Sequence, residues 1–338
     1  MHRLPPAPCP VAAQTSTLPA PPILPPRSSL RRRLLLQVGA WLTLPLTLIA
    51  TEGGTTAFPN GGDDLLVAAM PPPGCYGWLT FNQYSAAKLA DNSGHMPLQS
   101  FDLKVNALAP RFDWVKPVSV LGADRWGTLF VLPVLDLDLA FSPAPGVSVQ
   151  GRKRGLSDLT IGNGLHWTLP NYDMINSIDL TAPTGAYDAK DLVNPGQNKW
   201  VVRLNHIGTW HPAPAWDVSY RLHWDYNFKN PDTDYHSGQT LYLNWAIGWK
   251  PQPPMTVGLA GYFLRQITDD RQGGDVVGPG GNRVQVDGLG PCVKYFLPNH
   301  VMLTAKYFRD FNVRNHPRGE QFWFYVVVPL GPPPNGGH

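Results

Sequence analysis

An aspartate, a histidine and a serine stand close together in the run Asp232-Thr-Asp-Tyr-His-Ser-Gly-Gln239, and these residue types could hydrolyse an ester. A nucleophilic serine needs a base within hydrogen-bonding reach, but neighbouring residues of a strand point to opposite faces. His236 and Ser237 could therefore meet only in a loop, and no Gly-x-Ser-x-Gly turn is present. We predict no enzyme, with an outer-membrane hydrolase of lipids or esters as an alternative.

Carboxylate pairs in two long loops have the right chemistry for calcium. They are Asp232 with Asp234 and Asp269 with Asp270. A solvated turn explains the same residues, and no set of His, Cys and Asp has the spacing of a zinc site. We therefore predict neither a metal nor a cofactor.

Most of the remaining charged residues alternate with apolar ones, which is typical of β-strands. The clearest run begins at Trp216, and its apolar and aromatic residues occupy one face: 216, 218, 220, 222, 224 and 226. The opposite face carries polar residues, among them Arg221, His223 and Asp225. A period of two separates such sets onto the two sides of a sheet.

Runs of this kind predict about twelve strands, most of them longer than the ~5–6 residues usual in soluble proteins. The ranges are 75–85, 98–114, 126–140, 155–169, 172–183, 199–211, 215–228, 237–250, 254–265, 283–296, 300–309 and 320–329. Short turns alternate with long polar loops along the chain, as in transmembrane barrels. The predicted fold is all-β, a transmembrane antiparallel barrel over residues 75–330. A Trp-rich soluble β-sandwich is the alternative.

The N-terminal residues indicate export. Arg31-Arg32-Arg33 precedes an apolar run from Leu34 to Ala50, which predicts a signal peptide after a Pro-rich leader. An inner-membrane anchor is the alternative. We place segment 51–74 at the periplasmic mouth of the barrel, with entry into the barrel as the alternative, and predict a disordered tail at 331–338. After residue 50 the chain has 22 basic and 24 acidic residues, since five of the 27 basic ones precede it, so no nucleic-acid partner is predicted.

A charged side chain on the lipid face of a barrel costs about 2–4 kcal/mol for Arg or Lys at mid-bilayer. We therefore predict that the charged faces point into a wet lumen and the apolar faces meet lipid. The predicted lumen-lining residues are Lys104, Asp136, Asp138, Arg203, Arg221, His223 and Asp225. The predicted residues of the mouth loops are Asp232, Asp234, Tyr235, Gln239, Asp269, Asp270 and Arg283.

Several short words in the sequence are shared with one family. They are Thr-Glu-Gly-Gly-Thr at 51–55, Pro-Pro-Pro-Gly at 71–74, Ala-Pro-Thr-Gly-Ala-Tyr-Asp at 182–188, the run 232–239, Gln-Ile-Thr-Asp-Asp at 266–270 and Gly-Asn-Arg at 281–283. The chain resembles the family named for the meta-pathway of phenol degradation. The last strand departs from the usual terminal aromatic, because Leu330 is followed by Gly-Pro-Pro-Pro-Asn-Gly-Gly-His.

The resemblance implies a barrel of the bacterial outer membrane that takes part in the uptake of aromatic compounds. We accordingly predict a channel for passive entry of small hydrophobic or aromatic solutes. Its expected partners are those solutes, outer-membrane lipids and the barrel-assembly machinery. A structural or adhesive barrel without transport is the second alternative.

Overall fold

The computed structural model of the chain describes Glu52 and residues 56–331. The predicted leader and signal peptide lie outside this range, as does all but the first residue of the predicted tail. Among the described residues, no helix has the length and apolar character needed to cross a bilayer. The described fold is all-β, as predicted.

Seventeen strands are present in the described part of the chain. They are β1 (Gly74–Leu89), β2 (Ser100–Val120), β3 (Ala123–Val131), β4 (Val134–Ala144), β5 (Val147–Leu156), β6 (Leu159–Leu169), β7 (Tyr172–Ala182), β8 (Val201–Ala213), β9 (Trp216–Asn227), β10 (Tyr235–His236), β11 (Thr240–Gln252), β12 (Met255–Gln266), β13 (Arg271–Gln272), β14 (Asp275–Val276), β15 (Gln285–Phe296), β16 (Met302–Arg314) and β17 (Pro317–Pro329).

Fourteen of these strands form one antiparallel sheet that closes on itself. β1 pairs with β17 on one side and with β2 on the other. β3 and β4 follow one another along β2, and β5 continues into β6, so each of these pairs occupies the place of one strand. The wall is thus a twelve-stranded closed barrel, which confirms the predicted fold. β10, β13 and β14 form a separate three-stranded sheet.

Short turns join the strands at one end of the barrel, and longer loops join most of them at the other. We call these the short-turn end and the long-loop end. The turn after β6 is residues 170–171 and the turn after β8 is residues 214–215, whereas residues 183–200 connect β7 to β8. Outer-membrane barrels have this asymmetry, with the short turns on the periplasmic side.

An apolar belt faces outward around the barrel. Leu222 and Ile247 are 39% and 42% exposed, whereas Arg221 and His223 beside Leu222 face inward and are buried. Outward tryptophans near the short turns form an aromatic girdle: Trp114, Trp126, Trp210, Trp216 and Trp249. The predicted orientation of β9 and β11 agrees with this arrangement.

The predicted orientation is wrong for β2 and β4. Leu137 and Leu139 face inward and are only 3% and 4% exposed. Lys104, by contrast, lies on the outer surface with its side chain 62% exposed. Asp138 is also exposed there, and Asp136 pairs on the same face with Arg152 at 2.8 Å.

Strand length explains the reversal. β2 has 21 residues, whereas about 9–11 residues cross a bilayer, so the long-loop half of β2 extends beyond the apolar belt together with β4 and β5. Water can solvate outward charges at that level, and apolar side chains are stabilised by facing inward. This part of the wall therefore has the polarity of a soluble barrel.

We predict that a charged residue on the outer face destabilises the barrel within the apolar belt but not beyond it. Leu222→Arg should lower the free energy of unfolding in vesicles by about 2–4 kcal/mol, because it places a cation in hydrocarbon. Asp138→Arg, the matched change on the outer face of β4, should alter it by no more than about 0.5 kcal/mol. Denaturant titration of folded protein in vesicles measures both, and equal losses would contradict the described orientation.

Candidate functional site

The interior of β7, β8 and β9 carries a network of buried ionic groups. Arg203 Nε and Nη2 donate to the two carboxylate oxygens of Asp225, each at 2.8 Å. Arg221 donates to Asn205 Oδ1 and, from Nη2, to Asp179 Oδ2 at 3.0 Å. Paired contacts of this kind fix a guanidinium in position and orientation. Of the predicted lumen residues, Arg203, Arg221, His223 and Asp225 therefore face inward together; that they line a solute path stays a prediction.

The segment that precedes β1 runs through the barrel interior. At the long-loop end, Tyr187 and Asn230 donate hydrogen bonds to the two carboxylate oxygens of Glu52, at 3.1 Å and 2.6 Å. At the short-turn end, Arg125 donates to the carbonyl oxygen of Met70. The sequence placed this segment at the periplasmic mouth or inside the barrel, and its described residues lie along the lumen.

Charge pairing explains why the segment lies inside. Asp64 is 4% exposed and stands between two inward lysines, with carboxylate oxygens 3.2 Å from Lys294 Nζ and 3.1 Å from Lys306 Nζ. The same lysines donate to the carbonyl oxygens of Leu65 and Asp63. Two lysines that face the lumen thus share one carboxylate of the segment. The sequence signal was the Asp63-Asp64 pair inside a Gly/Pro-rich stretch.

Backbone groups of the segment are also satisfied by the wall. Leu66 N donates to Ser219 Oγ at 2.9 Å, and Ala68 N donates to Thr209 Oγ1 at 3.0 Å. Leu65 and Ala68 are fully buried. Because buried N–H groups are costly when unpaired, these contacts stabilise the segment in its position.

Two cavities remain beside the segment. The cavity toward the long-loop end has a volume of about 360 Å³, and its apolar wall is formed by Leu103, Val105, Leu135, Leu137 and Leu139. The cavity toward the short-turn end has a volume of about 720 Å³ and is bounded by Val67, Met70, Tyr76 and Ile175, among others. Phe58 and Arg221 line the smaller cavity, and Arg221 also lines the larger one.

The loop between β7 and β8 narrows the long-loop end. Val193 belongs to the buried apolar cluster that contains Leu137, Leu139 and Phe141, so this loop folds inward over the smaller cavity. Lys153 of β5 holds the loop by hydrogen bonds to Asp191 at 2.6 Å and Asn194 at 2.7 Å.

The predicted mouth residues stabilise the loops at the long-loop end. Asp270 is fully buried and accepts hydrogen bonds from Tyr235 Oη at 2.6 Å and Gly238 N at 2.7 Å. Arg283 donates to Asp269 at 2.7 Å, and Gln239 accepts a hydrogen bond from Trp224 Nε1 at 3.1 Å.

Neither candidate calcium pair has the surroundings of a metal site. Asp234 is exposed and pairs with Lys229, and Asp232 is exposed. Among the described residues, no group of three or more His, Cys, Asp and Glu could hold a metal ion. A role for any of the mouth residues in solute entry stays a prediction.

Ser237 and His236 do not meet. His236 Nε2 lies 2.8 Å from the carbonyl oxygen of Asn227, while Ser237 Oγ accepts a hydrogen bond from Lys199 Nζ at 2.7 Å. Ser237 is 1% exposed, and Lys199 is 3% exposed. Sequence reasoning missed Lys199, because its contact with Ser237 depends on how two distant loops pack.

Burial lowers the pKa of Lys199 to about 8, although Asp270, Glu52 and other acidic neighbours act in the opposite direction. This lysine precedes β8 at the long-loop end. With a pKa of about 8, Lys199 is partly deprotonated slightly above neutral pH. It lies near Glu52 of the segment and contacts the loop that carries Ser237.

Comparison with known proteins gives one family and several distant structures. A family model described as "Putative MetA-pathway of phenol degradation" matches residues 86–326. The crystal structure of an outer membrane channel from Pseudomonas putida F1 has a TM-score of 0.68 at 20% identity, with 77% of this chain and 96% of that chain covered. This similarity supports the barrel fold.

Two further solved structures are more remote. The β domain of the Bordetella autotransporter BrkA has a TM-score of 0.48 at 12% identity, over 76% of this chain and all of that one. The translocator domain of NalP from Neisseria meningitidis has a TM-score of 0.46 at 9% identity, over 90% and 96% of the two chains. No curated protein matches the chain.

Removing the carboxylate between the two lysines should release the segment. We expect Asp64→Asn to cost about 3–5 kcal/mol of segment docking, because the buried Lys294 and Lys306 both lose the carboxylate that they contact. Ion conductance in planar bilayers should then rise above the wild-type value. Asp102→Asn removes a carboxylate from the outer face and should leave conductance unchanged. Equal conductance in all three proteins would show that Asp64 does not hold the segment.

Lys199 should make stability depend on pH between about 8 and about 10.5, the ordinary lysine value. In this window the unfolded chain keeps the proton that the folded protein has lost. The free energy of unfolding should therefore rise with pH, by up to about 3 kcal/mol. Lys199→Met should flatten the rise. Denaturant titrations at pH 7 to 10.5 measure the slope, and parallel profiles for the two proteins would contradict the prediction.

Proposed function

Because the chain belongs to the family described as "Putative MetA-pathway of phenol degradation", we propose that it admits small hydrophobic, chiefly aromatic, molecules through the bacterial outer membrane by passive diffusion. The observation that carries this proposal is the apolar wall of the 360 Å³ cavity at the long-loop end. The chain is an outer-membrane barrel, since a closed sheet with an outward apolar belt and an aromatic girdle satisfies its backbone groups within hydrocarbon.

The apolar wall of this cavity favours poorly water-soluble, apolar solutes. A porin for ions or sugars has a polar lumen, whereas here inward leucines of β2 and β4 form one side of the cavity. Ligand sites for small molecules are mainly apolar with a few fixed polar groups. Arg203, Arg221 and Asp179 supply such groups in the wall of the same cavity.

Passage needs movement of the segment or of the β7–β8 loop. The segment lines both cavities, and it is held by ion pairs and hydrogen bonds to the wall and by the apolar packing of Leu65 and Ala68. An apolar solute can pack against the leucines in the cavity toward the long-loop end while these contacts persist. We infer that entry and onward passage are separate steps, with the segment controlling the second.

Catalysis has little support from the site. The single serine that the sequence suggested is buried and bound to Lys199, and His236 contacts a backbone carbonyl instead. A structural or adhesive barrel would not require an apolar interior cavity. We propose that the partners are the solutes themselves, outer-membrane lipids and the assembly machinery.

Making the apolar wall polar should slow aromatic solutes selectively. We expect Leu137→Asn to reduce toluene entry into lipopolysaccharide-containing proteoliposomes by about tenfold, the factor that about 1.4 kcal/mol gives. Asp138→Asn changes the adjacent, outward residue and should have no effect. Entry of a sugar of similar size should be slow in all three proteins. Toluene entry no faster than in protein-free vesicles would refute transport.

A further inference from the structure

One aromatic side chain of the segment occupies a socket made of charged and aromatic groups. The ring centroid of Phe58 lies 4.8 Å from the guanidinium carbon of Arg203 and 4.8 Å from that of Arg221. The imidazole of His223 meets the ring edge-on at a centroid distance of 4.7 Å. Tyr242 stacks on His223 with ring centroids 4.3 Å apart, and it also meets the Phe58 ring edge-on at a centroid distance of 6.1 Å.

The socket does not depend on Phe58 for its shape. Asp225 holds Arg203 through two hydrogen bonds, and Asp179 with Asn205 holds Arg221. These partners belong to the barrel wall; Arg221 has one further partner in the segment, Asp63 Oδ1 at 3.2 Å. Guanidinium groups fixed over one position attract the face of an aromatic ring, and the attraction is stronger away from water. A vacated socket would therefore remain ready for another ring.

The socket contains a polar group that Phe58 cannot use. Neither ring nitrogen of His223 has a hydrogen-bond partner among the described residues, although the side chain is 1% exposed. Its Nε2 lies 3.9 Å from the nearest carboxylate oxygen of Asp225. Buried polar groups normally have partners. A ring that carries a hydroxyl could hydrogen-bond to His223, which a phenylalanine ring cannot do.

The socket opens toward the cavity at the long-loop end. Phe58, Arg203 and Arg221 all line that cavity, whose wall also holds the inward leucines. A solute in the cavity at the long-loop end is thus next to the ring of Phe58. Exchange of one ring for another requires displacement of this part of the segment but no rearrangement of the wall.

We propose that Phe58 is a resident substitute for the transported solute, and that hydroxylated single-ring aromatics bind by replacing it in the socket of Arg203, Arg221, His223 and Tyr242. This inference rests on the proposed function. It adds a defined binding site, a preference for hydroxylated rings over apolar ones of equal size, and a reason why the segment yields to solute: both compete for the same contacts.

Binding of phenol and of cyclohexanol to the mature chain in nanodiscs tests the proposal, because the two alcohols are similar in size and only phenol has an aromatic face. Equilibrium dialysis against empty nanodiscs gives the affinities. Phe58→Ala should bind phenol at least about tenfold more tightly than wild type, since the resident competitor is gone. Cyclohexanol should gain little.

Two further variants test whether a gain in phenol affinity comes from loss of the aromatic ring or only from loss of side-chain volume. Phe58→Leu keeps apolar volume but removes the ring, so it should gain nearly as much phenol affinity as Phe58→Ala. Phe58→Ala combined with His223→Leu should lose the preference for phenol over toluene. Heat-modifiable migration on gels verifies that each variant is folded.

An equal gain for cyclohexanol and phenol, or no gain in either Phe58 variant, would overturn the socket. Toluene entry in the flux assay would continue in that case, leaving the proposed function intact. Tight phenol binding without any solute entry would show the reverse, a true binding socket in a barrel that does not transport.

Discussion

Hydrocarbon offers no hydrogen-bond partner to a backbone amide or a charge, and this constraint determines how the chain is built. It requires a closed sheet, and it decides which residues can face outward over the middle of each strand. On β9 and β11 the residues that face outward are apolar or aromatic. Arg221, His223 and Asp225 face inward. The charged interior follows from the lipid outside, and its groups must then neutralise one another.

Neutralisation gives the segment before β1 its place. Lys294 and Lys306 face the lumen from β15 and β16, and the carboxylate of Asp64 lies between them. Arg221 likewise binds Asp63 in addition to its wall partners. This ion-paired segment fills part of the barrel and lines a cavity toward each end. Besides these charge pairs and hydrogen bonds, Leu65 and Ala68 of the segment pack in buried apolar clusters with residues of the wall.

Sequence reasoning predicted the barrel, the strand number and the orientation of β9 and β11, because alternation and loop length are local properties. It failed for β2 and β4, where the same alternation has the opposite orientation. Alternation separates the two faces of a strand but does not show which face meets lipid. That depends on whether the residues lie within the hydrocarbon layer or beyond it, and this position depends on strand register. Lys104, Asp136 and Asp138 were therefore assigned to the wrong face.

The contacts of the segment could not be predicted, for a related reason. Asp63 and Asp64 could be recognised as unusual in a Gly/Pro-rich stretch, but the lysine partners of Asp64 lie about 230–240 residues away on β15 and β16, and Arg221, the partner of Asp63, lies on β9. The contact between Lys199 and Ser237 and the ring of Phe58 between two arginines also depend on packing of distant elements. No spacing rule links residues that meet only when the barrel closes.

The central claim is that the apolar side chains of β2 and β4 face an interior cavity that receives the solute. Anomalous diffraction from crystals soaked in bromobenzene tests it most directly, because the bromine position can be located independently of the protein phases. We expect a bromine peak inside the barrel among Leu103, Leu135 and Leu139. Bromine found only on the outer apolar belt, with none inside, would contradict the claim.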